Sequence, residues 1–425
     1  MIDSYEIHFN KEAEEVEVSQ FIAFKKAVLQ KDYTDLIVLA HGWNNDIEEA
    51  KDLYGRLLEQ ISASIDEKND VSKRFASLHV FWPSKKFAKR ELISGGAAST
   101  GDSDDIEKER IINEWAQMEE LLDDPTASMA YHRILDGLKR SADADELSPE
   151  FVKILSMLMP LEEDGELFTN LSDTKIKEFI QDGSLPYLQP EDESGMALGI
   201  DADSASEDGY ALGFFNSLNQ GISNLMNVTT YYTMKARAGE IGAALNAKLS
   251  EIKAIKSKIN IHLIGHSFGA RLVTSALFGP HNLQVKTLAL IQAAFSHYSF
   301  ADNYDGSKVG YFRKVLTENK ITGALLITHT RADRAVGLAY ALASRLAGQT
   351  GSNVGGIDSL YGGLGGNGAQ KTPEIDNTIN LVVAARENKF KAGESYNLLS
   401  DDIIGGHSDI VKPEVAKALV NAFFI

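Results

Sequence analysis

INIHLIGHSFGARLVTSALFG, residues 259–279, is the stretch from which the rest of the chain is read. Residues 259–265 form a short apolar run of β-forming character, and ARLVTSALFG is a helical continuation. Between them stands Gly265-His266-Ser267-Phe268-Gly269, a G-x-S-x-G pattern. A random chain of this composition would hold about 0.2 such matches by chance, so the pattern alone decides nothing. Its setting between a strand and a helix is what gives it chemical meaning. A sharp strand-to-helix turn pushes a serine into a strained conformation with Oγ exposed. Gly265 and Gly269 lack side chains and let the two elements approach closely. The helix beginning after Ser267 aims free N–H groups and its positive dipole end at the same place, which suits a developing oxyanion. Ser267 is therefore the candidate nucleophile and the Phe268 N–H a candidate oxyanion donor. The plain alternative is a buried turn serine.

The same rhythm recurs on both sides. TDLIVLAHG (34–42) reads as a strand buried on both faces. Asp46 follows as the N-cap of a helix, IEEAKDLYGRLLEQI, with acids in its first turn. FASLHVFW (75–82) is a further strand ended by Pro83, and residues 229–257 read as helix. KTLALIQAA (286–294), TGALLITH (322–329) and INLVVAA (379–385) read as buried strands, and PEVAKALVNAFF as a closing helix. Strands alternating with helices predict an α/β protein with a mainly parallel central sheet flanked by helices. Residues 85–228 break the pattern. They open on the polar SGGAASTGDSDD, carry the acidic runs EDESG and DADSASEDG, and otherwise read as helical segments. The chain thus divides into a first part of the core (1–84), a mostly helical insertion (85–228) and a second part of the core (229–425). GQTGSNVGGIDSLYGGLGGNG (348–368) reads as a mobile glycine-rich loop.

A nucleophilic serine needs a base, and the base an orienting acid. In this architecture the chain order is Ser, then Asp or Glu, then His. Four histidines follow Ser267: His281, His297, His329 and His407. His407, in IIGGHSDI, lies past the last expected strand and before the closing helix, where a parallel sheet presents its C-terminal edge. Asp333, in THTRADRAVG, lies just past a buried strand and reaches the same edge. Asp401, Asp402 and Asp409 compete for the acid role but sit on the histidine's own loop. A second oxyanion donor is expected from HGWNND (41–46). Gly42 permits close backbone approach there, and the N–H of Trp43 is the candidate. His41, His266 and His297 are possible pocket residues, with local structural roles as the plainer reading.

These motifs together resemble the α/β-hydrolase superfamily of serine hydrolases, on its esterase and lipase side. HGWNND, YYTMKARAGEIG, GHSFGARLV and THTRADRAVGLAYALASRL also resemble a bacterial branch of it. The resemblance covers roughly residues 34–84 and 229–425. It implies an eight-stranded, mostly parallel sheet, no metal or other cofactor, and an acyl-enzyme intermediate. Substrate is left open among esters, lipids, thioesters, amides and peptides, as is a non-catalytic binding module on the same fold. A carboxylic ester, lipid-like in the favoured subclass, is the expectation. The insertion stands earlier in the chain than the commonest lid of that superfamily, so it is expected to be a lid, a regulatory subdomain or a plain subdomain. Its apolar stretches FVKILSMLMP (151–160) and the face Phe214, Leu218, Ile222, Leu225 fit an acyl-chain groove, membrane-surface contact, or the insertion's own core.

Composition narrows the partners. With a formal charge of −19 over 425 residues, nucleic acid is not an expected partner. The chain has no cysteine, which removes disulfides, thiolate nucleophiles and Cys-based metal sites. No His/Asp/Glu cluster has metal-site spacing. MIDSYEIHFNKEAEEVEV has early acids and no apolar segment, so no secretory signal is expected, nor any transmembrane helix, and the cytoplasm is the expected compartment.

Overall fold

The computed structural model describes residues 2–43, 45–84, 210–333, 335–336, 362–375 and 378–425, with two short strands and five single positions inside 85–209; over 210–230 it describes backbone alone. Among the described residues eight strands form one sheet: β1 (Asp3–His8), β2 (Asp35–Ala40), β3 (Phe75–Phe81), β6 (Asn260–His266), β7 (Thr287–Ile291), β8 (Leu325–His329), β9 (Thr378–Asn380) and β10 (Ser395–Leu399). Their spatial order is β1-β3-β2-β6-β7-β8-β10-β9, and every pairing is parallel. The remaining pair, β4 (Tyr187–Gln189) and β5 (Ala197–Gly199), forms a separate antiparallel ladder within the inserted stretch.

The central strands are apolar on both faces because both faces are covered by helices. On β2, Leu36, Val38 and Ala40 enter one core, while Ile37 and Leu39 enter the other. The first core is closed by α1 (Val18–Gln30), α3 (Tyr210–Ile255) and α4 (Phe268–Ala276). The second is closed by α2 (Ile47–Asp66), α7 (Leu381–Glu387) and α8 (Pro413–Phe423). The short turns α5 (Arg313–Thr317) and α6 (Leu364–Asn367) complete the set described. The arrangement is a three-layer α/β/α architecture.

α2 starts where its capping box dictates. The Asp46 carboxylate accepts from the Glu49 N–H, and the Glu49 side chain returns to the Asp46 N–H. Four expectations need correction. INLVVAA is strand only as far as Asn380. The Asn380 side chain then accepts from the Val382 N–H and starts α7, which buries Leu381, Ala384 and Ala385 on one face. An apolar run this short carries no period that separates strand from helix. The final strand is instead SYNLL, where Tyr396 and Leu398 face the second core. The helix expected over 229–257 begins at Tyr210, so the boundary drawn at residue 228 falls inside one continuous helix. The far end of the glycine-rich stretch is packed: Leu364 is buried, and the Gly365 N–H donates to the Ala293 carbonyl.

β1 and α1 lie outside what the patterning indicated. β1 alternates the polar Ser4, Glu6 and His8 with Tyr5 and Ile7, and α1 buries Phe21, Phe24 and Val28. Most of 85–209, residues 151–160 and the side chains of the 214–225 face lie outside the described residues. Ile176, a single described position of the insertion, is buried in the first core. Among the described residues no helix is long and apolar enough to cross a membrane.

Candidate active site

Because the strands run parallel, the segments following β2, β6, β7, β8 and β10 all emerge at one edge of the sheet. That edge brings together Gly42 and Trp43, Ser267, Gln292, Asp333 and His407. β10 lies directly beside β8, which is how residues 333 and 407, 74 positions apart, meet.

Ser267 sits in the turn between β6 and α4 with φ +56° and ψ −122°, a region that non-glycine residues rarely occupy. Its N–H donates to the Ile291 carbonyl, and its carbonyl accepts from the N–H groups of Ala270 and Ala294. These bonds over-determine the strained turn. The glycines make it sterically possible. A Cβ on Gly265 would lie 2.3 Å from the Gly269 carbonyl oxygen, and one on Gly269 would lie 2.1 Å from that of Ala40. The spacing of G-x-S-x-G is therefore the spacing at which strand, turn and helix touch.

Ser267 Oγ and His407 Nε2 are 2.8 Å apart. His407 Nδ1 lies 2.9 and 3.0 Å from the two oxygens of Asp333. Asp333 is buried, yet its carboxyl is held below the usual range. Burial pushes it up, but the His407 charge, the His407 hydrogen bond, the Val336 N–H and the Gln292 side chain together push it down further. An ionised carboxylate has no proton to give, so His407 carries its proton on Nδ1 and offers the Nε2 lone pair to the Ser267 hydroxyl. The other candidate acids are engaged elsewhere. Asp401 accepts from the Thr330 hydroxyl and from the Arg331 N–H and guanidinium. Asp402 accepts from Asn380, and Asp409 from the Gly405 N–H.

Phe268 is the first residue of α4, so its N–H has no acceptor within the helix. The Gly42–Trp43 peptide lies against the serine, since a Cβ on Gly42 would be 2.7 Å from Ser267 Cβ and 3.3 Å from Oγ. His41 fixes that peptide. Its Nε2 accepts from the Trp82 N–H, so Nδ1 bears the proton and donates to the Gly42 carbonyl at 3.0 Å. Asn45 donates to the same carbonyl. In a trans peptide this leaves the Trp43 N–H directed to the opposite side. The His41 N–H donates to the Tyr54 hydroxyl, which donates to the Val80 carbonyl. Burial pushes the His41 imidazole down to about 4, so it is neutral near pH 7.

His266 donates from Nε2 to the His407 carbonyl at 2.9 Å and so tethers the His407 loop. Burial, then the neighbouring His407 charge, pushes it down to about 3. His297 is buried in the segment after β7, where Asn367 Nδ2 donates to its Nδ1. Gln292 and Thr328 also reach the site, and neither was singled out in the sequence. The available signal was Gln292 as the lone polar residue within the apolar run LALIQAA. Among the described residues, no group of three or more His, Asp and Glu side chains could hold a metal ion. No protein-family model, curated protein or solved structure matches the chain.

Proposed function

We propose that the protein is a serine hydrolase of the α/β-hydrolase type that cleaves a carboxylic ester through an acyl-enzyme. The observation that carries the reading is the unbroken hydrogen-bonded series Asp333–His407–Ser267, with the serine held at positive φ. In the first step Oγ attacks the carbonyl carbon as Nε2 of His407 takes its proton. The carbonyl π electrons move onto oxygen, where the N–H groups of Phe268 and Trp43 receive the negative charge. Asp333 stabilises the imidazolium. His407 then gives the proton to the leaving alkoxide as the C–O bond breaks, releasing an alcohol. A water, deprotonated by His407, attacks the acyl-serine, and collapse returns the proton to Oγ and frees the acid.

A fluorophosphonate probe tests the reading. Wild-type protein should be labelled at Ser267, Ser267→Ala should not be, and p-nitrophenyl esters should turn over while peptide anilides should not. Absence of labelling in the folded wild type would remove the enzyme reading. Anilide turnover without ester turnover would move the reading to an amidase.

A further inference from the structure

We infer that Gln292, with Thr328 behind it, is a positioning residue that fixes the orientation and the charge of Asp333. This rests on the proposed reading of Ser267, His407 and Asp333 as a reacting triad. Gln292 immediately follows β7, is fully buried, and adopts φ +46°. A left-handed conformation at a buried, branched-network position such as this persists only where the surroundings hold it.

The hydrogen bonds assign the amide unambiguously. The Gln292 backbone N–H donates to Thr328 Oγ at 3.1 Å, and the Thr328 hydroxyl donates to Gln292 Oε1 at 2.9 Å. A hydroxyl has one proton, so this pair of bonds uses it and makes Oε1 the acceptor. Nε2 then faces the other way, between two acceptors: Asp333 Oδ2 at 3.1 Å and the Gly365 carbonyl at 3.0 Å. Only an NH₂ group satisfies both. Every polar atom of the side chain is used, and all of these partners are buried or backbone groups.

The consequence for Asp333 is specific. Oδ1 accepts from the Val336 N–H and Oδ2 from Gln292 Nε2, so neutral donors from two separate segments clamp the carboxylate plane around the His407 bond. Gly365 closes over the same oxygen, since a Cβ there would lie 2.9 Å from Oδ2. The Nε2–H dipole also points its positive end toward the triad in a water-poor site, where such a field is weakly screened. It keeps Asp333 ionised and opposes protonation of His407. Removing it lets His407 take up its proton at higher pH. Thr328→Val leaves Oε1 and the Gln292 backbone N–H without their partner and loosens the hold of Nε2 on Asp333, which acts in the same direction.

The test is the rate of fluorophosphonate labelling of Ser267 in the full chain, followed from about pH 5 to 9, with a thermal melt of each variant; its midpoint reads the base that activates the serine. Gln292→Met and Thr328→Val should each raise that midpoint by about half to one pH unit and lower the plateau rate about tenfold. Thr328→Ser, which keeps the hydroxyl, should overlay the wild type. A side chain that merely fills space would lower the melting temperature and leave the midpoint in place. If Gln292→Met does not fold, Thr328→Val, which nearly keeps the volume, decides alone. An unmoved or lowered midpoint in a folded variant, with the wild type labelled, overturns this inference alone. A wild type unlabelled at every pH overturns the triad reading and this inference with it.

Discussion

Gly42→Ala is a one-carbon test of the site's geometry. The added Cβ would sit 2.7 Å from Ser267 Cβ and 3.0 Å from His266 Nδ1, whereas ordinary contact begins near 3.4 Å. Something must move by about 0.7 Å, and the surroundings leave two choices. The serine can move, but its backbone is fixed by the Ile291, Ala270 and Ala294 bonds, and displacement stretches the 2.8 Å contact with His407. Alternatively the Gly42–Trp43 peptide can withdraw, against the hold of His41 and Asn45, and take the Trp43 N–H with it. Misplacing a reacting group by an ångström, or losing one oxyanion donor, each costs about 10²-fold in rate. The rate constant for fluorophosphonate labelling of Ser267 should therefore fall about 100-fold in Gly42→Ala, while urea unfolding shows that the core survives. A folded Gly42→Ala variant labelled within about threefold of wild type would refute the packing argument for the HGW turn.

Two further predictions address the acid and the buried histidines. Asp333→Asn removes the carboxylate that holds the Nδ1 proton and should lower the labelling rate about 10³- to 10⁴-fold in protein that a urea melt shows to be folded, whereas Asp401→Asn should change it less than about threefold; equal losses would reassign the acid. Burial pushes His41, His79 and His329 down to about 4 and His266 to about 3. The unfolded chain takes up these protons near pH 6.5, so between about 6.5 and 4 unfolding binds protons that folding does not. Stability should be full above pH 7, fall as pH drops toward 4, and fall again below about 3.8 as the ionised Asp35 and Asp333 lose their advantage over the unfolded chain. Urea midpoints measured from pH 8 to 4 check this, and a flat profile would contradict the buried neutral histidines.

Local features carried in the sequence reached far into this molecule. G-x-S-x-G, the apolar runs around it and the capping box at Asp46 each act over a few residues, so β2, β3, β6, β7 and β8 were legible, as were Ser267 and the Gly42 turn. So was the order of Asp333 and His407 along the chain. The strand expected at INLVVAA has the same origin, since a run this short, apolar but for Asn380, fits either period, and only the Asn380 cap and the neighbouring helices select α7. SYNLL was obscured by Asn397, a polar residue that looks wrong for a buried strand until its side chain is seen paired with the Ala369 backbone. Which aspartate faces His407 was not written locally at all. It depends on β10 lying beside β8, a long-range pairing that directs Asp401 to Arg331 and leaves Asp333 for the imidazole. The Gln292–Thr328 support is likewise a product of strand adjacency: a polar residue just past β7 and another on β8 become a clamp only when the two strands are hydrogen-bonded in register.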